Sequence, residues 1–74
     1  MEVEKNRVYR HYKGDYYIVI DIATNSETME KMVIYRGLYE NGPLWVRPYE
    51  LFIDDVNKNN QVKRFLLQEI ESKR

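Results

Sequence analysis

The 74-residue chain carries 12 Lys and Arg against 12 Asp and Glu, a formal charge of zero, with 43% apolar and 14% aromatic residues. This composition excludes a disordered chain and a protein that coats nucleic acid through net charge, though not a local basic patch. With no Cys, neither a disulfide nor a thiolate metal site can stiffen so small a domain, so one thin apolar core must hold it.

Residues 1–6 are polar, and Met-Glu-Val-Glu-Lys has neither the basic n-region nor the apolar h-region of a secretory signal. No apolar run approaches the roughly 18 residues that span a bilayer, so no membrane role and a cytoplasmic location are expected. Arg7 to Tyr12 is rich in strand formers, and Lys13-Gly14-Asp15 supplies a turn into the clearest strand, Tyr16 to Ala23. The near-continuous Ile18, Val19, Ile20 and Ile22 suggest a strand covered on much of both faces or curled into a barrel. These two segments predict a hairpin.

Thr24 to Thr28 is polar, and Thr24 with Glu27 matches a capping box, which fits one helical turn as well as a plain loop. Met32 to Tyr39 resumes strand character, with Gly37 marking a bulge or a close approach of another backbone. Glu40-Asn41-Gly42 is a hairpin turn signal, after which Pro43 opens a strand from Leu44 to Arg47. Pro48 ends that strand, and Pro-Tyr-Glu-Leu-Phe predicts a tight helical turn that folds Leu51 and Phe52 inward. Asn57-Lys58-Asn59-Asn60 is the next turn. Val62 to Leu66 predicts a closing strand, although Val62, Phe65, Leu66 and Ile70 also fit helical spacing. Residues 67–74 are expected to form a short helical or frayed end.

One domain is expected over residues 1–74, with its core about 7–66. The expected fold is mainly β, a small SH3-like barrel of four to five strands with a short helical turn, its tail open to either a short C-terminal helix or a frayed end; an OB-like barrel is the alternative.

His11-Tyr12-Lys13-Gly14, Ser26-Glu27-Thr28, Val33-Ile34-Tyr35-Arg36, Leu38-Tyr39, Trp45-Val46-Arg47-Pro48 and Arg64-Phe65 together carry a family likeness. In these blocks the chain resembles domain-of-unknown-function family 1653, small bacterial and phage domains found alone or attached to other modules. Asn25 stands where the family pattern leads one to expect His, and Gly37 where Ala is more usual. The resemblance implies domain limits and a bacterial setting. It implies no catalytic residues, because the family's function is itself unknown.

Several basic residues sit beside aromatics: Arg10 and Lys13 with Tyr12, Arg36 with Tyr35, Arg47 with Trp45. Cationic side chains grip phosphate or carboxylate while ring faces accept stacked bases. The expected site is therefore Arg10, Tyr12, Lys13, Tyr35, Arg36, Trp45 and Arg47, with His11, Ser26, Glu27 and Arg64 as secondary candidates. The expected ligand is single-stranded nucleic acid or a nucleotide-like molecule, without enzymatic action and without cofactor or metal. The competing arrangement has the Arg side chains solvated and the rings in the core. A module whose aromatic groove receives a protein partner's peptide is the functional alternative. Monomer and homodimer, the latter through Leu66, Leu67 and Ile70, are both compatible with either function. A triad of His11, Ser26 and Glu27 or Asp21 lacks any strained nucleophile turn. Glu50, Asp54 and Asp55 lack calcium-loop spacing.

Overall fold

The computed structural model describes residues 2–69. Strands β1 (Val8–His11) and β2 (Tyr16–Thr24) form the expected hairpin, with Val8 opposite Ile18 and Arg10 opposite Tyr16. The turn between them needs Gly14 at φ 112°, a region closed to most side chains. Strand β2 pairs with β3 (Lys31–Gly37), which pairs with β4 (Leu44–Pro48). Helical turn α1 (Tyr49–Phe52) follows directly, because Pro48 fixes its own φ and opens a first turn that needs no donor. A separate hairpin of β5 (Asp55–Lys58) and β6 (Gln61–Lys63) then leads to β7 (Phe65–Leu67), which pairs with β1. The main sheet runs β4-β3-β2-β1-β7, antiparallel throughout.

Alternation along the strands collects Tyr9, Val19, Val33, Tyr35 and Phe65 on one face, and α1 adds Phe52 to them. Phe52 and Phe65 stack with centroids 4.1 Å apart, and Tyr35 meets both edge-on. A bulge between Val19 and Asp21 resets the alternation, so Ile22 joins Val33 toward the core. That explains the apolar run of β2: Ile18 belongs to one face, Val19 and Ile22 to the other, and Ile20 sits at the bulge, largely exposed. The opposite face of the sheet carries Val8, Ile18, Ile34, Leu44 and Val46, the last two well exposed.

The mainly β architecture with a helical turn after Pro48 agrees with expectation. The sheet does not close into a barrel, and the described residues form seven strands in place of the expected four to five. Closure fails because the chain after β4 is spent on α1 and the β5–β6 hairpin, and β7 reaches the free edge of β1. Phe52 turns inward as expected, whereas Leu51 is exposed. The segment expected as one closing strand from Val62 breaks at Arg64, whose N–H donates to Asp54 O. The side-chain amide of Gln61 meanwhile donates to Lys63 O and Arg64 O. Val62, Phe65 and Leu66 are therefore strand residues and not one helical face; Ile70 and the remainder of the tail lie outside the described residues. Asn57 and Lys58 belong to β5, and the turn narrows to Asn59-Asn60, both at positive φ. The loop after Thr24 makes a single turn, closed by the Met29 N–H donating to Asn25 O, and does not extend into a helix. Its cap is Asn25 and not Thr24, with the Asn25 side-chain oxygen accepting the N–H groups of Glu27 and Thr28. Strand β3 ends at Gly37, so Leu38 and Tyr39 lie in the connection. What approaches Gly37 is the Tyr39 ring and not a backbone.

Candidate functional site

The end of β1, the start of β2, the end of β3, the start of β4 and the start of β7 lie together at one end of the sheet. Register places Trp45 opposite Tyr35 and Val19, and His11 opposite Phe65, all on the core face. Here the core aromatics continue outward into exposed ones. Trp45 Nε1 donates to Tyr39 Oη at 3.1 Å, and Tyr39 Oη lies 3.5 Å from Tyr17 Oη. The Tyr17 ring stands edge-on to Tyr39, Tyr35 and Phe65, with His11 6.3 Å away. Tyr12 covers His11 at 4.5 Å. Burial, then the hydrogen bond and charge interaction with Tyr39, push the Tyr17 hydroxyl pKa strongly upward, so it remains a neutral hydrogen-bonding group.

Two guanidinium groups border this arc of rings. Arg47 reaches back from β4 so that its Nε donates to Tyr35 Oη at 3.4 Å and its Cζ stands 5.8 Å from the Phe65 centroid. Among the described residues Arg47 has no carboxylate partner, and only its Nε donates within the protein. Arg64 is different. Its Nε and Nη2 donate to both oxygens of Asp54, at 2.7 and 3.0 Å, which holds the Asp54 carboxyl below the usual carboxylate range.

His11 sits between these groups, with its ring against Tyr12 and Phe65. Its Nδ1 accepts the backbone N–H of Lys13 at 3.1 Å, which assigns the proton of the neutral ring to Nε2. Burial first, then the charges of Arg47, Arg64 and Lys13, lower its pKa from the ordinary value. The imidazole is thus a neutral Nε2–H donor near pH 7.

Of the residues expected to form the site, Tyr12, Lys13, Tyr35, Trp45, Arg47, His11 and Arg64 meet at this end. Tyr35 serves as buried support rather than a stacking surface. Arg10 and Arg36 do not join them. Register turns both onto the opposite face, where Arg10 donates to Gln61 Oε1 at 2.7 Å and Arg36 to Gly42 O at 2.8 Å. Tyr12 lies beyond the end of β1, so strand alternation does not bring Arg10 and Tyr12 to one face. Ser26 and Glu27 follow the far end of β2, roughly 26 Å along the strand from the β1–β2 turn, and cannot act with His11. Tyr17 and Tyr39 escaped the sequence reading, because their convergence with Trp45 depends on cross-strand register and on the fold of the 38–43 connection. Asp54 and Asp55 pair with Arg64 and Lys63 respectively, so neither carboxylate stands free as a metal ligand.

Two clefts lie elsewhere: about 270 Å³ beside β7, lined by Tyr9, Phe65 and Leu67 among others, and about 310 Å³ between Lys31 and Tyr49. Both fall near or below the low end for small-ligand pockets, roughly 300 Å³. The aromatic and cationic end is an open platform instead. No described helix is long and apolar enough to cross a membrane.

No curated protein matches this chain. A crystal structure of a DUF1653 protein from Bordetella bronchiseptica is similar, with 30% identity over 96% of this chain and 95% of that one and a TM-score of 0.79. The family model described as "Protein of unknown function (DUF1653)" matches residues 7–67, so the chain belongs to the DUF1653 family.

Proposed function

We propose that this protein is a non-enzymatic binding domain for an anionic, ring-bearing ligand, of the single-stranded nucleic acid or nucleotide type. The observation that carries the reading is Arg47. Its guanidinium lies over the buried Tyr35 and Phe65 rings, on the strand face it shares with the exposed Trp45; it lacks a carboxylate partner among the described residues, and its Nη groups donate to none of them. An unpaired fork of donors suits phosphate oxygens, and the half-exposed Trp45 supplies a stacking surface. His11 Nε2–H and Lys13 add donors. The bacterial origin of the similar structure supports a bacterial setting, and we place the protein in the cytoplasm, where such ligands are abundant.

Trp45 is the only Trp, so its fluorescence reports on the site directly. Titrating nucleotides and short oligonucleotides should give a saturable change that weakens from low to moderate salt. Arg47→Ala should reduce affinity by roughly tenfold or more while circular dichroism stays unchanged, since hydrogen bonds to charged groups contribute about 1.5–3 kcal/mol. Binding that is indifferent to both salt and Arg47 would remove the electrostatic basis of the reading.

A further inference from the structure

The distribution of cations and rings narrows the ligand beyond its general class. We infer that the site takes a single nucleotide through its terminal phosphate monoester, and not a continuous strand; this rests on the function proposed above.

A protein that holds a strand needs a basic groove along the backbone and successive ring platforms. This surface has neither. Arg10 and Arg36 are on the opposite face of the sheet, bound to Gln61 and Gly42. Arg64 is committed to Asp54, Lys63 to Asp55 and Arg7 to Glu4. Lys31 stands over Tyr49, beyond the other end of the sheet. Lys5 pairs with Asp21, and Lys58 is exposed on the separate β5–β6 hairpin, off the main sheet. Among the described residues of the main sheet and its turns, what remains beside the rings is Arg47 and Lys13, with the neutral His11 between them. Both Arg47 and His11 flank the Phe65 ring, and Lys13 follows His11 around the turn. Charge is therefore gathered at one point and does not continue across the sheet.

The rings tell the same story. Tyr12, His11 and Tyr17 pack against one another or on Phe65. Trp45 is 46% exposed and its indole N–H is held by the 38%-exposed Tyr39, so these two outward rings are joined into one oriented platform and not spaced as successive ones. One platform beside one cluster of donors matches one base and one phosphate. A monoester fits better than a diester: it carries about −1.5 to −2 charge and three acceptor oxygens, enough for the Arg47 fork, His11 Nε2–H and Lys13 together.

The test compares AMP, adenosine, the phosphodiester dinucleotide ApA and 5′-phosphorylated oligoadenylates of increasing length, read by Trp45 fluorescence. AMP should bind roughly tenfold or more tightly than adenosine or ApA, given the strength of charge-assisted hydrogen bonds. Affinity should not rise with length among the 5′-phosphorylated oligomers, and Arg47→Lys, which keeps charge but loses the fork, should weaken AMP binding. Affinity that climbs with length, with a growing salt slope, would overturn the single-nucleotide inference and leave the broader reading intact. Inorganic phosphate competing as well as AMP binds would overturn it too, since the base would then contribute nothing. A folded sample that responds to no nucleotide or oligonucleotide would remove the broader reading and this inference with it.

Discussion

At the scale of single residues, His11 couples the site to pH. Its Nδ1 is occupied by the Lys13 N–H, so protonating the ring in place breaks that bond as well as adding charge beside Arg47 and Arg64. The folded state therefore resists a proton that the unfolded chain accepts near the ordinary His value of about 6.5. In that window the unfolded state binds more protons, and stability falls as pH drops below about 6.5. Asp15 partly opposes the shift, and Asp54 contributes only at more acid pH, because its own carboxyl is held low by Arg64. Urea midpoints at pH 7 and 5.5 should differ for the native protein and differ less for His11→Phe, which keeps a ring between Tyr12 and Phe65. An equal pH slope in both would assign the effect to other groups. Gly37 is a second sensitive position. A Cβ added there would lie 2.5 Å from the Tyr39 ring, but that ring is half-exposed and able to swing away. Gly37→Ala should leave the midpoint nearly unchanged while shifting Trp45 emission, because Tyr39 Oη is the acceptor of the indole N–H. An unaltered emission spectrum would mean that Tyr39 does not hold the indole.

At the scale of elements, the β2–β3 connection depends on one side chain. Asn25 accepts from Glu27 and Thr28 through its amide oxygen, while its backbone N–H donates to Glu30 O and its carbonyl accepts from Met29. Asn25→Ala should cost about 1 kcal/mol, as for other lost caps, and urea denaturation would show it; Ser26→Ala should cost almost nothing. Thr24 with Glu27 has the spacing of a capping box, yet Asn25, the residue after Thr24, does the capping. The contrast shows what was legible. Hairpins announced by Gly14 and Asn41-Gly42, the strand end at Pro48 and the inward Phe52 all follow from local chemistry, and all are present. What depends on pairing was hidden. Alternation correctly puts Trp45 and Arg47 on one face but cannot say that Arg36 lies behind the sheet from them. Nor does it locate the bulge beyond Val19 that splits an apparently unbroken apolar run between two faces. The candidate site was half legible for the same reason: Arg47, Trp45 and His11 stand out by composition, whereas Tyr17 and Tyr39 acquire their place only when β2, β3 and β4 are in register.

At the scale of the whole molecule, the fold is completed by its last strand. β7 pairs with β1, so the two ends of the described chain close the sheet edge together, and Phe65 enters the core only when that pairing forms. Phe65 is 4% exposed, stacks on Phe52, and meets Tyr17, Tyr35 and His11 edge-on. It thus joins the core to the candidate site. A domain of 74 residues has a net stability of roughly 4–11 kcal/mol at the usual 0.05–0.15 kcal/mol per residue. Replacing a buried Phe by Ala costs about 3–5 kcal/mol. Phe65→Ala should therefore remove a large part of the total and lower the unfolding midpoint well below that of the native protein. The neighbouring Leu66 faces the other way and is 44% exposed, so Leu66→Ala should cost well under half as much. Thermal unfolding followed by circular dichroism distinguishes the two. A Phe65→Ala protein as stable as Leu66→Ala would mean that the sheet and its core hold without the closing strand. Loss of stability confined to Phe65→Ala would place the weight of the fold on the β1–β7 pairing, and any change in the pairing would then be felt at His11 and Arg47, which rest on the same ring.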